Sequence, residues 1–135
     1  MTLKSDMNNL SVGVRILDCD HREMVEALSQ LHATVTADQD RSLTGDLLHK
    51  LAHFTQLHFE LEEGMMRATK YPRAMVHRRT HQELIRQLYA LVVRHTRGGQ
   101  ALNFHSLNFL HAWHADHVQQ DDRHYGLWVN QAGGH

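Results

Sequence analysis

Cysteine and proline are almost missing from this chain: there is one of each in 135 residues. A lone thiol, Cys19, excludes an internal disulfide and fits a reducing compartment, so a cytoplasmic protein is expected. Neither sign of charge dominates. Fourteen Lys and Arg are interleaved with fifteen Asp and Glu, for a formal charge of -1, which argues against nucleic acid or an anionic membrane as partner. The first ten residues lack an apolar signal region, and no run approaches the ~18 apolar residues of a membrane span. Strand alternation, internal repeats and low-complexity segments are also missing. The abundant residue is histidine: 14, as many as Lys and Arg together.

The length suits a single domain, residues 1–135, with a real core. Residues 1–17 read as an extended N-terminal arm, because their apolar residues are scattered and Gly13 breaks a helix. Four helices follow, at about 18–37, 43–67, 73–96 and 103–121. Asp18 is a candidate N-cap, Pro72 fits the first turn of the third helix, and Gly98-Gly99 stops it. The tail reads as loop, with Tyr125, Leu127 and Trp128 available to pack back. Short links between long helices imply an all-α, up-down-up-down four-helix bundle.

That topology gathers the start of the first and third helices and the end of the second and fourth at one end. The interior polar residues are found there: His21, then His58 and Glu62, then His77 and His81, then His117. Four residues on a helix turn ~400°, so His58 and Glu62 share a face, as do His77 and His81. Leu47, Leu51, Phe54 and Met65 lie within roughly 40° of His58, so the pair interrupts a core stripe. One inward histidine is ordinarily a satisfied core residue. Several at one level, with a carboxylate, are not how a neutral core is built, and imidazole with carboxylate suits iron, zinc or copper. His49 and His53 form the same spacing but fall ~140–180° away, on a solvated face. His32 reads as a core or bundle-end residue, and Cys19 as a small packed one.

These residues resemble the hemerythrin family, specifically single-domain bacterial hemerythrins. The pattern is D-x-x-H (Asp18, His21), H-x-x-x-E (His58, Glu62), H-x-x-x-H (His77, His81) and H-x-x-x-x-D (His117, Asp122). Phe59, Glu63-Gly64-Met65-Met66, Trp113 and Tyr125 match as flanking residues. The resemblance covers about residues 12–128. It implies two iron ions with an oxo or hydroxo bridge. His77, His81 and His117 would hold one iron, His21 and His58 the other, with Glu62 and Asp122 bridging. The two-histidine iron is one ligand short, and that open position is where the family takes dioxygen. Met24, Phe59, Trp113, His114 and Val118 would form the oxygen pocket.

On physics alone, Asp121 lies i+4 from His117 and shares its face, whereas Asp122 lies ~140° away. The family register selects Asp122, which requires a wider π-type turn; Asp121 is the alternative. The family commonly carries a Trp in the N-terminal arm, absent here, and a Leu where this chain has His114. A histidine titrating near neutral pH there is expected to speed autoxidation as pH falls through ~6.5.

The function implied is dioxygen binding for storage, delivery or sensing, by a monomer and without turnover. Nitric oxide is a second candidate ligand. The alternatives are a di-iron peroxidase, oxidase or nitric-oxide-handling enzyme, or an iron store. The chain has no Glu-x-x-His, which ferritin-like di-iron oxidases use.

Overall fold

All secondary structure among the described residues is helical. The structure, a computed structural model, describes residues 13–36, 41–97 and 101–131. Residues 1–12 of the expected arm, the link at 38–40, the Gly98-Gly99 stop and residues 132–135 lie outside them. The helices are α1 (Arg15–Thr36), α2 (Arg41–Ala68), α3 (Ala74–Thr96) and α4 (Phe104–His117). A π-helical turn, Val118–Asp122, then runs without a break into α5, Arg123–Gln131. α2 packs on α3, and α1 packs on both α2 and α4. The result is a four-helix bundle.

Two boundaries differ from the sequence reading. α1 begins at Arg15, within the stretch read as arm. The Asp18 amide already donates to the Val14 carbonyl at 2.9 Å, so Asp18 sits in the first turn, where its charge complements the helix dipole, and is not the cap. The tail is helix α5, not loop. Tyr125 and Val129, four residues apart, bury one face against Leu17, Met66 and Tyr71, while Leu127 is exposed.

Local chemistry sets the other ends. Asn103 caps α4, its side chain accepting from the Ser106 amide at 3.0 Å. α2 closes in a Schellman arrangement: the Tyr71 amide reaches Met66 O at 2.9 Å and the Lys70 amide reaches Arg67 O at 3.1 Å. Lys70 takes the left-handed position, φ 58°, that glycine usually fills, at a penalty of about 1–2 kcal/mol for an L-residue. Met66 and Tyr71 belong to one apolar cluster, the contact that accompanies this motif.

The core is layered. One apolar cluster contains Leu28, Leu31, Leu48, Leu51, Leu88, Val92, Leu107 and Leu110. A second contains Leu17, Val25, Met66, Tyr71, Val118, Tyr125 and Val129. On α1, His21 falls between Leu17 of the second cluster and Leu28 of the first, and on α2, His58 and Glu62 fall between Leu51 of the first and Met66 of the second. On these two helices the polar layer has apolar residues on both sides.

Candidate metal centre

That layer holds His21 from α1, His58 and Glu62 from α2, His77 and His81 from α3, His117 from α4 and Asp122 from the π turn. All seven are at most 5% exposed. Their donor atoms form two groups that share both carboxylates. Glu62, His77, His81, His117 and Asp122 each place a donor atom within 4.8 Å of the others, as do His21, His58, Glu62 and Asp122.

The carboxylates divide their oxygens between the groups. Glu62 Oε1 lies 2.5 Å from His77 Nε2 and 3.2 Å from His81 Nε2, while Oε2 lies 3.2 Å from His58 Nε2 and 4.0 Å from His21 Nε2. Asp122 Oδ1 lies 2.9 Å from His77 Nε2 and 3.1 Å from His117 Nε2, while Oδ2 lies 3.0 Å from His21 Nε2.

Several of these close approaches are not hydrogen bonds. Both Asp122 oxygens, Glu62 Oε2, His58 Nε2 and both His21 nitrogens are buried without a hydrogen-bond partner among the described residues. Unsatisfied buried acceptors destabilise unless something else meets them. Five imidazoles and two carboxylates converging this way fit a metal pair: three imidazoles with two carboxylate oxygens on one side, two with two on the other.

The electrostatics reflect the crowding. Burial and neighbouring Asp122 push Glu62 up, yet the imidazoles of His58, His77 and His81 outweigh both and hold it at about 2. Asp122, pushed up by burial, is brought well below its usual value by His117, His21 and His77. Burial pulls His77 and His117 down, but Asp122 and Glu62 raise His77 to about 9, and Asp122 with Asp121 raises His117 to about 10. His58 also moves up, because Glu62 and Asp20 prevail over burial.

A second ring of carboxylates holds three of the imidazoles from behind. His58 Nδ1 meets Asp20 Oδ2 at 2.8 Å, His81 Nδ1 meets Glu63 Oε2 at 2.9 Å, and His117 Nδ1 meets Asp121 Oδ2 at 2.9 Å. Each bond aims the ring and leaves Nε2 for the centre. Nothing local in the sequence marks Asp20 or Glu63 for this role. Their partners lie on other helices, so no spacing signals it. The i+4 spacing of Asp121 and His117 was visible, and it is what the helix uses. Asp121 supports the ring while the π turn delivers Asp122 inside.

Aromatic rings fix two more faces. Phe59 lies flat on His81, centroids 3.7 Å apart and planes at 2°, and Trp113 stacks on His117 at 4.7 Å. Of the residues expected to form an oxygen pocket, Met24, Phe59, His114 and Val118 are buried and Trp113 is half-buried. Val118 joins the second apolar cluster. His114 points inward, its ring 5.9 Å from that of His21. Burial, then the charge of His21, pushes it down to about 3. That overturns the expectation that it titrates near neutral pH.

The remaining histidines separate as follows. His49 and His53 are exposed. His32 is exposed too, with its ring 5.4 Å from Phe104, so of the core and bundle-end alternatives the core one fails. Cys19 is exposed and not packed, and Arg22 donates to its Sγ at 3.3 Å.

Comparison with known proteins agrees with this site. The family model "Hemerythrin HHE cation binding domain" matches residues 12–129. A bacteriohemerythrin of Stenotrophomonas maltophilia is 28% identical over 125 residues, 93% of this chain and 80% of that protein. A bacteriohemerythrin of Methylococcus capsulatus is 26% identical, covering 84% of this chain and 86% of its own. A crystal structure of wild-type hemerythrin superposes with a TM-score of 0.82 at 26% identity, over 85% of this chain and 88% of the other. A matched domain spanning nearly the whole chain, with a buried donor set to match, places this protein in the hemerythrin family.

Proposed function

We propose that this protein binds dioxygen reversibly at a non-haem di-iron centre, for storage, delivery or sensing. Histidines 77, 81 and 117 would hold one iron and His21 and His58 the other, with Glu62 and Asp122 across both. Iron held there, with an oxo or hydroxo bridge, would supply two electrons and a position for a ligand on the two-histidine side. The observation that carries this reading is the division of each carboxylate's two oxygens between a three-imidazole and a two-imidazole group. Seven donors split so unevenly leave one side a ligand short.

The chain's own residues do the rest. Asp20, Glu63 and Asp121 orient their rings and fix which nitrogen faces the centre. Phe59 and Trp113 cover ring faces, and the burial of all seven donors keeps bulk water away, which strengthens the electrostatics inside. No described helix is long and apolar enough to cross a membrane. An exposed free thiol at Cys19 suits the reducing cytoplasm, where we place the protein as a monomer.

The test is metal analysis followed by anaerobic reduction and admission of air. About two irons per chain and an oxygen-dependent absorption band that reverses under vacuum are expected. A fully loaded sample holding one zinc and no iron would overturn the reading.

A further inference from the structure

His114, expected from the family resemblance to line the oxygen pocket, is a buried titratable residue to which the reading above gives no chemical task. It lies three residues before His117 on α4 and is 4% exposed. Neither ring nitrogen is open to solvent, and neither has a hydrogen-bond partner among the described residues. A neutral imidazole always presents one N–H donor and one acceptor. Leaving both unmet inside a protein is destabilising, and an apolar side chain of similar size would avoid it. An orphaned buried donor calls for a partner that arrives later.

Its position shows where that partner sits. The ring stands edge-on to His21, at 73° and 5.9 Å between centroids. Rings within the donor groups lie closer: His21 and His58 at 5.0 Å, His77 and His81 at 4.4 Å. His114 belongs to neither donor group. It stands outside the donor cluster, on the His21 side, and so faces the two-histidine half.

We propose that His114 donates a hydrogen bond to a small anion seated at the two-histidine half, and so determines which ligands this centre prefers. The inference rests on the functional reading above. An N–H placed there favours a ligand that gathers negative charge on its outer atom, because charge-assisted hydrogen bonds are the strong ones. It offers nothing to a ligand without an acceptor.

The experiment uses the full chain, iron-loaded and oxidised, with sodium azide as probe. Wild type, His114→Leu and His114→Gln are compared for iron per chain, azide dissociation constant, and the azide vibrational frequency in H2O and D2O. All three are expected to hold the iron pair. His114→Leu should weaken azide by roughly 10- to 100-fold and abolish the solvent-isotope shift seen in wild type. His114→Gln, which keeps a side-chain N–H, should recover part of the affinity. Equal affinities in wild type and His114→Leu, with iron intact in both, overturn the proposal and leave the functional reading standing. So does a wild-type azide band that ignores D2O, a result that needs no variant to fold. A wild-type chain that cannot hold an iron pair overturns both.

Discussion

Asp121 and Asp122, neighbours in sequence, grip opposite nitrogens of one imidazole. Asp121 Oδ2 lies 2.9 Å from His117 Nδ1, and Asp122 Oδ1 lies 3.1 Å from His117 Nε2. An unbroken α-helix cannot do this, since i+4 and i+5 diverge by ~100°. The five-residue π turn, Val118–Asp122, supplies the extra room.

Deleting Gln120 should therefore restore α-helical register and move Asp122 to the position Asp121 now holds. The iron pair should be lost, as in Asp122→Ala. Asp121→Asn should keep the pair. Iron content per chain decides it: a deletion variant that still loads two irons would show that the π turn is not what delivers the second carboxylate.

The rear carboxylates should set affinity without being ligands. Asp20→Asn and Glu63→Gln should each lower iron affinity roughly 10- to 100-fold, read by competition with a chelator. His49→Ala and His53→Ala, on the exposed face, should change nothing. Comparable losses in both pairs would remove the distinction.

Without metal, stability should peak near pH 6.5. His77 and His117 stand at about 9 and about 10, above the ordinary 6.5, so their contribution is full below 6.5 and lost as pH climbs through those values. His114 is held down at about 3. The unfolded chain takes a proton there below 6.5 and the folded one does not, so stability also falls toward acid. Glu62 and Asp122, both lowered, keep their contribution above their ordinary 4.5 and 3.8. The interval from 4.5 to 6.5 thus isolates His114. His114→Leu should flatten the melting-temperature profile there and leave the alkaline side alone. A profile in the variant parallel to wild type would contradict this.

His95 should matter for stability alone. Its Nε2 donates to Arg41 O at 2.7 Å, its Nδ1 accepts from the Leu102 amide at 3.0 Å, and Arg41 donates back to His95 O. The ring also packs on Gly45, where an added Cβ would sit 3.1 Å from it. His95→Ala leaves those buried backbone groups unmet, for a loss of about 2–4 kcal/mol. Denaturant unfolding measures it. Leu88 and Val92 lie between His95 and the centre along α3, so iron content should not change.

The bundle and the polar layer were legible because both rest on helical periodicity, which a sequence displays directly. His58 with Glu62 and His77 with His81 interrupt apolar stripes at a spacing that leaves one face to occupy. What stayed hidden depends on contacts between helices. Nothing local links Asp20 to His58, or Glu63 to His81. α5 is hard to see because the ideal helical register breaks at the π turn, near residue 121. Yet Val118, Asp122, Tyr125 and Val129 recur at spacings of four, three and four, and all are buried. Cys19 was read as packed from its size alone, and its exposure follows from the wheel position of α1, two residues before inward His21.

The rear carboxylates also grade the centre in stiffness. Rings braced by Asp20, Glu63 and Asp121 cannot turn without breaking a charge-assisted bond, and Phe59 and Trp113 clamp two of them flat. His21 has no such brace: its Nδ1 is unpartnered among the described residues. His77 also stands outside these three, but its Nε2 bonds Glu62 Oε1 at 2.5 Å, so of the five rings His21 is held least. Ring rotation, and any loosening of grip on a bound metal, should therefore begin at His21, on the half of the centre proposed to take the ligand.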